Sequence, residues 1–331
     1  MVTVALAGAA SGFGLTLLRT FVHLNSKSTT SHRLVLLSRS EKPELAALGV
    51  EVRPVDYTNH AQLVRALTGV HTLLSAIGGD MEALRVAQLA LIAAAKEAGV
   101  KRFAPSEYAG SSNNGIDLYR SKAEVWDAAK LASQETGMEV TQFQCGIFMS
   151  VFATGTTKPV THVGQREGAR TGEEEALAGL RPWNFVINMT AGTADLPGDG
   201  TAPIVWTEMR DIATFVYRAL SLERWPEVMG MRGDVKSFRD VLSLIERVQG
   251  RRFLVKENSV AEMEAQAAAD PGKEFYNQVR IALADGWGVV PDTLNKAFPD
   301  VKPVGCGEFV EKWWQGVEVG EVSWGGDQSF M

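Results

Sequence analysis

The sequence predicts an α/β protein with a doubly wound parallel sheet and a second, smaller lobe. Apolar segments of strand length alternate with helical patterns over the first 150 residues, which is typical of such a sheet. After about Phe152 the pattern becomes polar and rich in loops. The predicted strands are Thr3–Ala7, Leu34–Ser38, Glu51–Pro54, Thr72–Ser75, Arg102–Ala104 and Glu139–Gln144. The predicted helices are Gly14–Leu24, Pro43–Leu48, His60–Leu67, Met81–Ala98 and Lys122–Thr136.

The first predicted strand leads into a glycine-rich turn, within "VALAGAASGFGLTLL". Gly8 would let the chain turn off the strand, Gly12 would let a phosphate approach the backbone, and Gly14 would let the helix pack closely. The helix N-terminus would then direct its N–H groups and positive dipole end at the anion. We interpret the turn, with Ser11 and Phe13, as a dinucleotide-binding site of the Rossmann type. The alternative is a tight turn without a ligand.

The end of the second strand predicts which dinucleotide binds. An acidic residue there would bind the ribose hydroxyls of NAD, whereas a basic residue would meet the 2′-phosphate of NADP. This strand ends in Ser38, Arg39 and Ser40, and the arginine offers a planar set of donors to a phosphate. The sequence therefore predicts NADP(H), with Arg39 and Ser40 in the site. The alternative is that Arg39 is an ordinary surface residue.

The fourth strand ends in "LLSAIGG", whose small residues would lie where the cofactor crosses the sheet edge. We assign Ala76 and Ile77 to the cofactor site. The alternative for these residues is loop structure alone.

Composition excludes several classes of partner. The chain has 331 residues and a formal net charge of −6, which gives nucleic acid no basic surface to bind. Its two cysteines and five scattered histidines predict neither a disulfide framework nor a metal site. The apolar helix Ala83–Val100 carries charges, and the N-terminus reads as a strand, so we expect no membrane contact and a cytoplasmic monomer or homodimer.

The lobes are predicted to divide as follows. The Rossmann domain spans residues 1–152 and is completed by about 201–235, and residues 153–200 and 236–331 form a mostly helical substrate lobe. Ser237–Gln249, Ser259–Ala269 and "FVEKWWQG" read as helices in this lobe. Because Trp313 and Trp314 are adjacent, we expect one in the core and the other at an interface. Residues 318–331 lack periodicity and read as a tail.

Several stretches of the sequence resemble a known family. "VKRFAPSEYAG", residues 100–110, is similar to the "KRF-PSE-G" segment of isoflavone reductases and phenylcoumaran benzylic ether reductases, which belong to the NmrA-like group of atypical short-chain dehydrogenases. "SRS", "YRSKAEV" and "QCGIFMSVF" match further motifs, although Ser11 stands where a glycine is usual. The resemblance covers most of residues 1–245, fades in the final 90, and is greatest to the fungal branch.

The resemblance implies that Lys122 is the catalytic lysine and that NADPH donates a hydride. We also assign Lys122 to the cofactor site. Typical short-chain dehydrogenases carry Tyr-x-x-x-Lys, whereas here Tyr119 precedes Lys122 by three residues. In the phenolic reductases of the family, the lysine helps to ionise a phenol so that a quinone-methide-like intermediate accepts hydride. We therefore expect an NADPH-dependent reductase of a phenolic, quinoid or polyketide-like molecule from secondary metabolism. The alternative functions are a non-catalytic redox sensor and an isomerase or dehydratase. The alternative for Lys122 is an ordinary surface position.

The substrate is expected to contact an apolar wall. Its residues would follow the strand that should run under the nicotinamide. Phe148, Met149 and Phe152 are the first candidates, and Phe148 would also contact the cofactor. Trp183 and Tyr276 are further candidates. The alternative for each of them is a core position.

Overall fold

A six-stranded parallel sheet forms the centre of the protein in the computed structural model, which describes residues 1–111, 115–158 and 172–324. All neighbouring strands in it run parallel. The strands, in spatial order, are Glu51–Pro54 (β3), Arg33–Ser38 (β2), Thr3–Ala7 (β1), Thr72–Ser75 (β4), Arg102–Ala104 (β5) and Glu139–Val140 (β6). The chain order reverses between β1 and β4, and ligands of such sheets bind in the crevice at the carboxyl ends of the strands beside that point.

The helices between these strands follow the predicted order. They are Gly12–Lys27 (α1), Pro43–Ala46 (α2), His60–Leu67 (α3), Met81–Ala98 (α4) and Arg120–Thr136 (α5). Helix α1 continues to Lys27, three residues beyond its predicted end at Leu24. A 3₁₀ turn, Asp117–Tyr119, leads directly into α5.

Strand β1 separates two apolar cores. Val4 and Leu6 belong to the core that includes Leu17 and Phe21 of α1. Ala5 and Ala7 face the opposite core, which α3, α4 and α5 cover. Successive side chains of a strand point to opposite faces, so a strand with helices on both sides is apolar throughout. This explains why β1 shows no alternation of polar and apolar residues, and the predicted doubly wound α/β class is confirmed.

The rest of the described chain adds smaller sheets and further helices. The additional strands are Gln142–Gln144 (β7), Ile147–Phe148 (β8), Ile187–Asn188 (β9), Thr193–Pro197 (β10), Ile204–Thr207 (β11), Val228–Gly230 (β12), Asp234–Lys236 (β13) and Leu254–Asn258 (β14). The additional helices are Gly172–Leu177 (α6), Met209–Ala219 (α7), Phe238–Gln249 (α8), Val260–Ala269 (α9), Glu274–Ala284 (α10), Thr293–Ala297 (α11) and Cys306–Trp314 (α12).

The strand predicted over residues 139–144 is divided in two. Strand β6 pairs with β5, whereas β7 pairs with β12, and Thr141 lies between them. Parallel strands β8 and β11 pair next, which brings Phe148 beside Thr207. The chain therefore leaves the central sheet at Thr141 and carries residues 147 and 148 toward the smaller lobe.

The smaller lobe has its own apolar core and is less purely helical than expected. Strand β10 pairs with β14 and β9, and β11 pairs with β13 and β8. Helices α8 and α9 begin where predicted because Ser237 and Ser259 each form a capping box with the acidic residue three positions later.

Trp313 and Trp314 are both buried, at 4% and 1% exposure, so the expectation that one lies at an interface is wrong. Helix α12 packs between α8 and the 3₁₀ turn Met149–Ala153, which covers two of its sides. The Trp314 indole N–H donates to the Phe152 carbonyl at 2.6 Å.

The predicted tail is partly ordered against the lobe. Val317 and Val319 pack on its core, and the Ser323 N–H donates to the Ala191 carbonyl at 3.0 Å. Residues 318–324 are therefore part of the lobe surface, and residues 325–331 lie outside the described chain.

Two features of the described residues concern membranes and metals. None of the helices there has the length and apolar character that a bilayer crossing requires. Within the same ranges, no group of three or more His, Cys, Asp or Glu side chains could hold a metal ion.

A largely buried carboxylate, that of Asp211, lies in the first turn of α7. Burial raises the pKa of Asp211 to about 7, and the negative charges of Glu208 and Glu308 add to this effect. The Val304 N–H donates to Asp211 Oδ2 at 2.8 Å and opposes it, as does the charge of Arg210. As pH rises from about 4 to 7 the unfolded chain ionises before the folded protein does, so Asp211 lowers stability increasingly over that range.

We expect Asp211→Asn to stabilise the protein at pH 8 by about 1–3 kcal/mol, and by less at pH 5. The amide retains an acceptor for Val304 and removes the buried charge. Urea denaturation at both pH values measures the difference. The control is Asp199→Asn, because Asp199 is exposed and its pKa is lowered by the Thr201 hydroxyl and N–H. A gain that is equal at both pH values, or shared by the control, would contradict this account.

Candidate functional site

The glycine turn after β1 depends on two close approaches. A Cβ atom at Gly8 would lie 2.6 Å from the Ile77 backbone, and φ at Gly8 is +75°. A Cβ atom at Gly14 would lie 2.8 Å from Ala9 Cα. Real Cβ atoms do not come this close to backbone, so these two glycines allow α1 and the end of β4 to approach the turn.

The N-terminus of α1 lacks a side-chain cap. Ser11 is the N-cap residue, but its side chain makes no capping hydrogen bond, and the first turn contains no acidic residue. Gly12 has φ +53°, and Phe13 follows it on the first turn. The first backbone N–H groups of a helix lack intrahelical partners, and the helix dipole favours a negative charge there. The turn therefore fits the diphosphate of a dinucleotide.

Arg39 directly follows the carboxyl end of β2, four residues before α2 begins at Pro43. It is exposed, and among the described residues its guanidinium has neither a hydrogen-bond nor an ion-pair partner. Ser40 is also exposed, and its N–H donates to Ser38 Oγ at 3.4 Å. A free planar guanidinium at this strand end fits a 2′-phosphate.

Tyr57 is a residue of this region that the sequence analysis missed. Burial raises its pKa to about 12, although the Gly8 N–H and the Arg39 charge act in the opposite direction. Its hydroxyl donates to the Leu37 carbonyl at 3.3 Å. Tyr57 thus connects the end of β2 with the glycine turn, and only its position three residues after the end of β3 could have indicated this.

The end of β4 completes the edge of the crevice. The Ala76 N–H donates to the Ala7 carbonyl at 2.8 Å, which continues the pairing of β1 and β4 by one residue. Ile77 then passes directly against Gly8. The predicted residues Gly8, Ala76 and Ile77 are therefore neighbours.

An apolar cavity of about 230 Å³ opens beside this crevice. Its walls come from both lobes and are rich in aromatic side chains, with Arg181 as the one charged residue among the described lining residues. The lining residues are Tyr108, Ala109, Gly110, Ile116, Tyr119, Gly146, Ile147, Phe148, Ser150, Val151, Thr154, Leu177, Leu180, Arg181, Trp183, Phe185, Phe275, Val279, Ala282, Leu283, Trp287 and Gly288. Enclosed apolar cavities with a few polar groups are typical sites for small molecules.

Three aromatic rings join the glycine turn to the cavity. The Phe13 ring centroid lies 4.7 Å from that of Tyr108 and 5.1 Å from that of Phe148. Phe13 belongs to the first turn of α1, whereas Tyr108 and Phe148 line the cavity. A dinucleotide that extends along the crevice from the glycine turn would therefore reach the cavity at Phe148.

Met149 and Phe152 do not line the cavity, contrary to expectation. Both are 0% exposed and belong to the core of the smaller lobe, where Phe152 packs on Trp206 at a centroid distance of 4.6 Å. They lie in a 3₁₀ turn, in which residues three apart share one face. Ser150 and Val151 take the cavity face instead.

Helix α10 brings Phe275 to the cavity rather than Tyr276. Phe275 and Val279 are one helical turn apart and both line the cavity, whereas the Tyr276 ring is 2% exposed and turned toward β10. The Tyr276 hydroxyl donates to Asp195 Oδ2 at 3.2 Å. Trp183 does line the cavity and stacks on Phe275 at 6.3 Å.

A buried ion pair holds α10 in this position. Arg280 is 0% exposed and its Nη1 lies 3.1 Å from Asp195 Oδ2 on β10. The same nitrogen donates to Asn277 Oδ1 at 3.0 Å, and Asn258 Nδ2 donates to Asp195 Oδ1 at 2.7 Å. Breaking one partner of a buried pair leaves an uncompensated charge, so this network fixes the helix that forms one cavity wall.

Lys122 lies beside the cavity, behind Tyr119. Its Nζ is 5.1 Å from the centroid of the Tyr119 ring, and it is not among the lining residues. Tyr119 itself lines the cavity, and burial raises its pKa to about 12, with added effects from Glu107 and Cys145. The phenol is therefore protonated at neutral pH and available as a donor. Burial raises the pKa of the Cys145 thiol, and the positive charge of Lys122 acts in the opposite direction.

Glu107 is a second residue that sequence reasoning left without a role. It is 1% exposed, and its negative charge contributes to the raised pKa of Tyr119. It belongs to "PSE" in the segment that carries the family resemblance, and a carboxylate inside an apolar stretch is the signal that could have marked it. Buried carboxylates near a cavity are candidates for function.

A parallel sheet with a glycine turn at its reversal point and an apolar cavity beside it defines a Rossmann-type dinucleotide-binding protein. The family model described as NmrA-like matches residues 3–267. The chain belongs to the NmrA-like family, which confirms the resemblance seen in the sequence.

Individual relatives are consistent with this membership. The chain is 27% identical over 317 residues to oxidoreductase BOA1 of Botryotinia fuckeliana, covering 92% of this chain and 96% of the relative. It is 28% identical over 278 residues to phenylcoumaran benzylic ether reductase TP7 of Nicotiana tabacum, covering 77% of this chain and 79% of the relative.

Solved structures share the fold. AtPrR2 with NADP⁺ and (+)pinoresinol superposes with a TM-score of 0.70 at 20% identity, covering 94% of this chain and 98% of that one. The binary complex of leucoanthocyanidin reductase and NADPH from Vitis vinifera also gives 0.70, at 17% identity, and covers 94% and 99% of the two chains.

We expect Arg39→Ala to weaken NADPH binding by about 1.5–3 kcal/mol, the range for hydrogen bonds to a charged group, and to leave NADH binding nearly unchanged. The reason is that only NADPH carries the 2′-phosphate. Fluorescence titration with each cofactor measures the effect.

The matched control is Arg33→Ala. Arg33 lies at the amino end of β2, at the other end of the strand from Arg39, and its side chain is 63% exposed. Equal losses for NADPH and NADH in Arg39→Ala would exclude the assignment, as would an equal loss in the control.

Proposed function

We propose that the protein reduces a small phenolic, quinoid or polyketide-like molecule with NADPH, and that Lys122 is the general acid–base residue. Relatives named oxidoreductase and reductase cover most of the chain. The protein is an NADPH-dependent oxidoreductase of the NmrA-like, isoflavone reductase-like type. The observation that carries the proposal is the contact of Phe13, in the glycine turn, with two cavity-lining rings.

The side chains that line the cavity favour an aromatic substrate. Phe148, Trp183 and Phe275 present flat apolar surfaces around a narrow space. Offset or edge-to-face packing of aromatic rings contributes about 0.5–1.5 kcal/mol beyond the burial of area. A planar ring is thus held by contacts that an extended aliphatic chain would not make.

The cofactor supplies a hydride when bound, and the residues of this chain would hold it in the crevice. The glycine turn would take its diphosphate, Arg39 and Ser40 its 2′-phosphate, and Phe148 would bound its nicotinamide end. Hydride addition at carbon leaves a developing charge on the substrate oxygen. A proton donor near that oxygen is then required.

Lys122 and Tyr119 are the groups placed to handle that proton. They lie on one face of the 3₁₀ turn and α5, three residues apart. The protonated Tyr119 phenol can donate a hydrogen bond at the cavity wall, and the adjacent ammonium supplies a positive charge. In this proposal Lys122 moves the proton and Tyr119 orients the oxygen.

The test is NADPH oxidation, followed at 340 nm, with a panel of phenols, quinones and aromatic carbonyls. Oxidation of NADPH with one of these classes is expected. Tight binding of NADPH with no oxidation across the panel would instead favour a redox sensor, and substrate conversion without net oxidation would favour an isomerase or dehydratase.

With an active substrate, we expect Lys122→Ala to lower kcat a hundredfold or more, about 2.7 kcal/mol by the transition-state relation. NADPH affinity should change far less. Lys122→Arg should not restore the rate, because a guanidinium does not release its proton near neutral pH. Stopped-flow single turnovers separate this step from cofactor release.

The control on the same helix is Lys130→Ala, because Lys130 pairs with Asp127 on the exposed face of α5. Full activity in Lys122→Ala together with an inactive Tyr119→Phe would show that the tyrosine, and not the lysine, is the acid–base residue.

The division into lobes at residue 152, a cytoplasmic location and a monomer or homodimer remain part of this proposal. The cavity supports the division, because residues from before and after residue 152 form its walls. Analytical ultracentrifugation distinguishes the two assemblies.

A further inference from the structure

A short segment of the smaller lobe lies across the glycine turn. We call residues 177–181 the strap. The Leu180 Cδ2 atom lies 3.4 Å from the position that a Cβ of Gly12 would occupy, and a Cβ of Gly179 would lie 3.8 Å from the Gly12 nitrogen. Any anion held by the first N–H groups of α1 would therefore contact the strap.

The strap is fixed at both ends. On one side Glu175 Oε1 accepts from Arg210 Nη2 at 3.0 Å. On the other side the Thr154 hydroxyl donates to the Trp183 carbonyl at 3.2 Å and accepts from the Trp183 N–H at the same distance. The segment between these anchors is thus held over the turn.

The backbone of the strap is strained. Ala178 has φ +49° and is one of two non-glycine residues with positive φ in the described ranges, and Gly179 follows with φ +82°. A left-handed alanine costs about 1–2 kcal/mol. Strain of this kind persists where the surrounding structure imposes it, and it is concentrated at ligand sites. Here the strained pair brings Leu180 onto the turn.

The next residue carries the cavity's positive charge. Arg181 lines the cavity and is exposed, and in the described part of the chain its guanidinium has no hydrogen-bond or ion-pair partner. Leu177 and Leu180 of the strap also line the cavity. Arg181 directly follows Leu180, which contacts the glycine turn. An arginine without a partner at such a position is suited to an oxygen-rich anion.

We infer that the strap belongs to the cofactor site and that Arg181 binds the diphosphate of the dinucleotide from the side opposite the glycine turn. The inference rests on the proposed function for the identity of the ligand. The diphosphate then lies between backbone donors of one lobe and a side chain of the other. Arg181 differs from Arg39 in that it would contact a group that NADPH and NADH share.

The experiment compares ligands that contain a diphosphate with one that does not. We expect Arg181→Gln to weaken NADPH, NADH and 2′-phospho-ADP-ribose about tenfold each, the loss of one charge-assisted contact. Adenosine 2′-monophosphate, which lacks the diphosphate, should bind as well as it does to the wild-type protein. Arg181→Lys should recover part of the affinity. Isothermal titration calorimetry measures all four ligands.

The matched control is Arg65→Gln, because Arg65 is an exposed arginine in the last turn of α3, at the opposite edge of the sheet. A general loss of structure would weaken adenosine 2′-monophosphate as well and would overturn the assignment. Unchanged affinity for NADPH and NADH in Arg181→Gln would also overturn the assignment. If, in addition, the KM for a substrate with a carboxylate rises, Arg181 contacts the substrate and not the diphosphate.

These measurements need no turnover and so separate the two proposals. If the wild-type protein binds NADPH but reduces nothing in the panel, the reductase proposal fails. The binding measurements on Arg181→Gln then still test the strap assignment. If turnover is normal and Arg181→Gln binds both dinucleotides as the wild type does, only the strap assignment fails.

Discussion

The contact between the glycine turn and the end of β4 is the constraint on which the rest of the site depends. Gly8 and Ile77 approach so closely that no side chain can stand between them. That approach sets where β1 releases the chain into α1, and therefore where the first N–H groups of the helix point. It also brings the end of β4 to the same edge as Arg39. Each part of the crevice follows from backbone packing at this one place.

The aromatic contacts of Phe13 carry that constraint into the second lobe. Phe13 is held by the first turn of α1, and its ring meets Tyr108 and Phe148. Phe148 is positioned in turn by the pairing of β8 with β11. The phosphate end and the cavity are therefore parts of one packed arrangement, although the residues that form them are separated by more than a hundred positions. Apolar interiors transmit displacements because they are close-packed.

Local patterns predicted the sheet well and the cavity poorly, for a physical reason. Strand and helix positions follow from apolar periodicity and from caps such as Ser237 and Ser259, which depend on neighbours within four residues. The walls of the cavity depend on which face of a helix or 3₁₀ turn is covered by distant segments. Phe275 and Tyr276 are both aromatic, and their adjacent positions in the sequence do not show which of them faces the cavity. In the structure Asp195 on β10 accepts from the Tyr276 hydroxyl, and Phe275 lines the cavity. Met149 and Ser150 are likewise neighbours in the sequence, and in the structure Met149 lies in the core while Ser150 lines the cavity.

The buried pair of Arg280 and Asp195 has a consequence for how this protein and its relatives can diverge. Helix α10 cannot shift without separating two charges from which water is excluded, and few single substitutions would compensate for that. The face that carries Phe275 and Val279 has no such charge pair, because its side chains make apolar contacts at the cavity wall, among them those of Phe275 with Trp183 and Tyr119. New substrate preferences are therefore expected to arise by exchange of side chains on a fixed helix, with the backbone of the wall inherited unchanged.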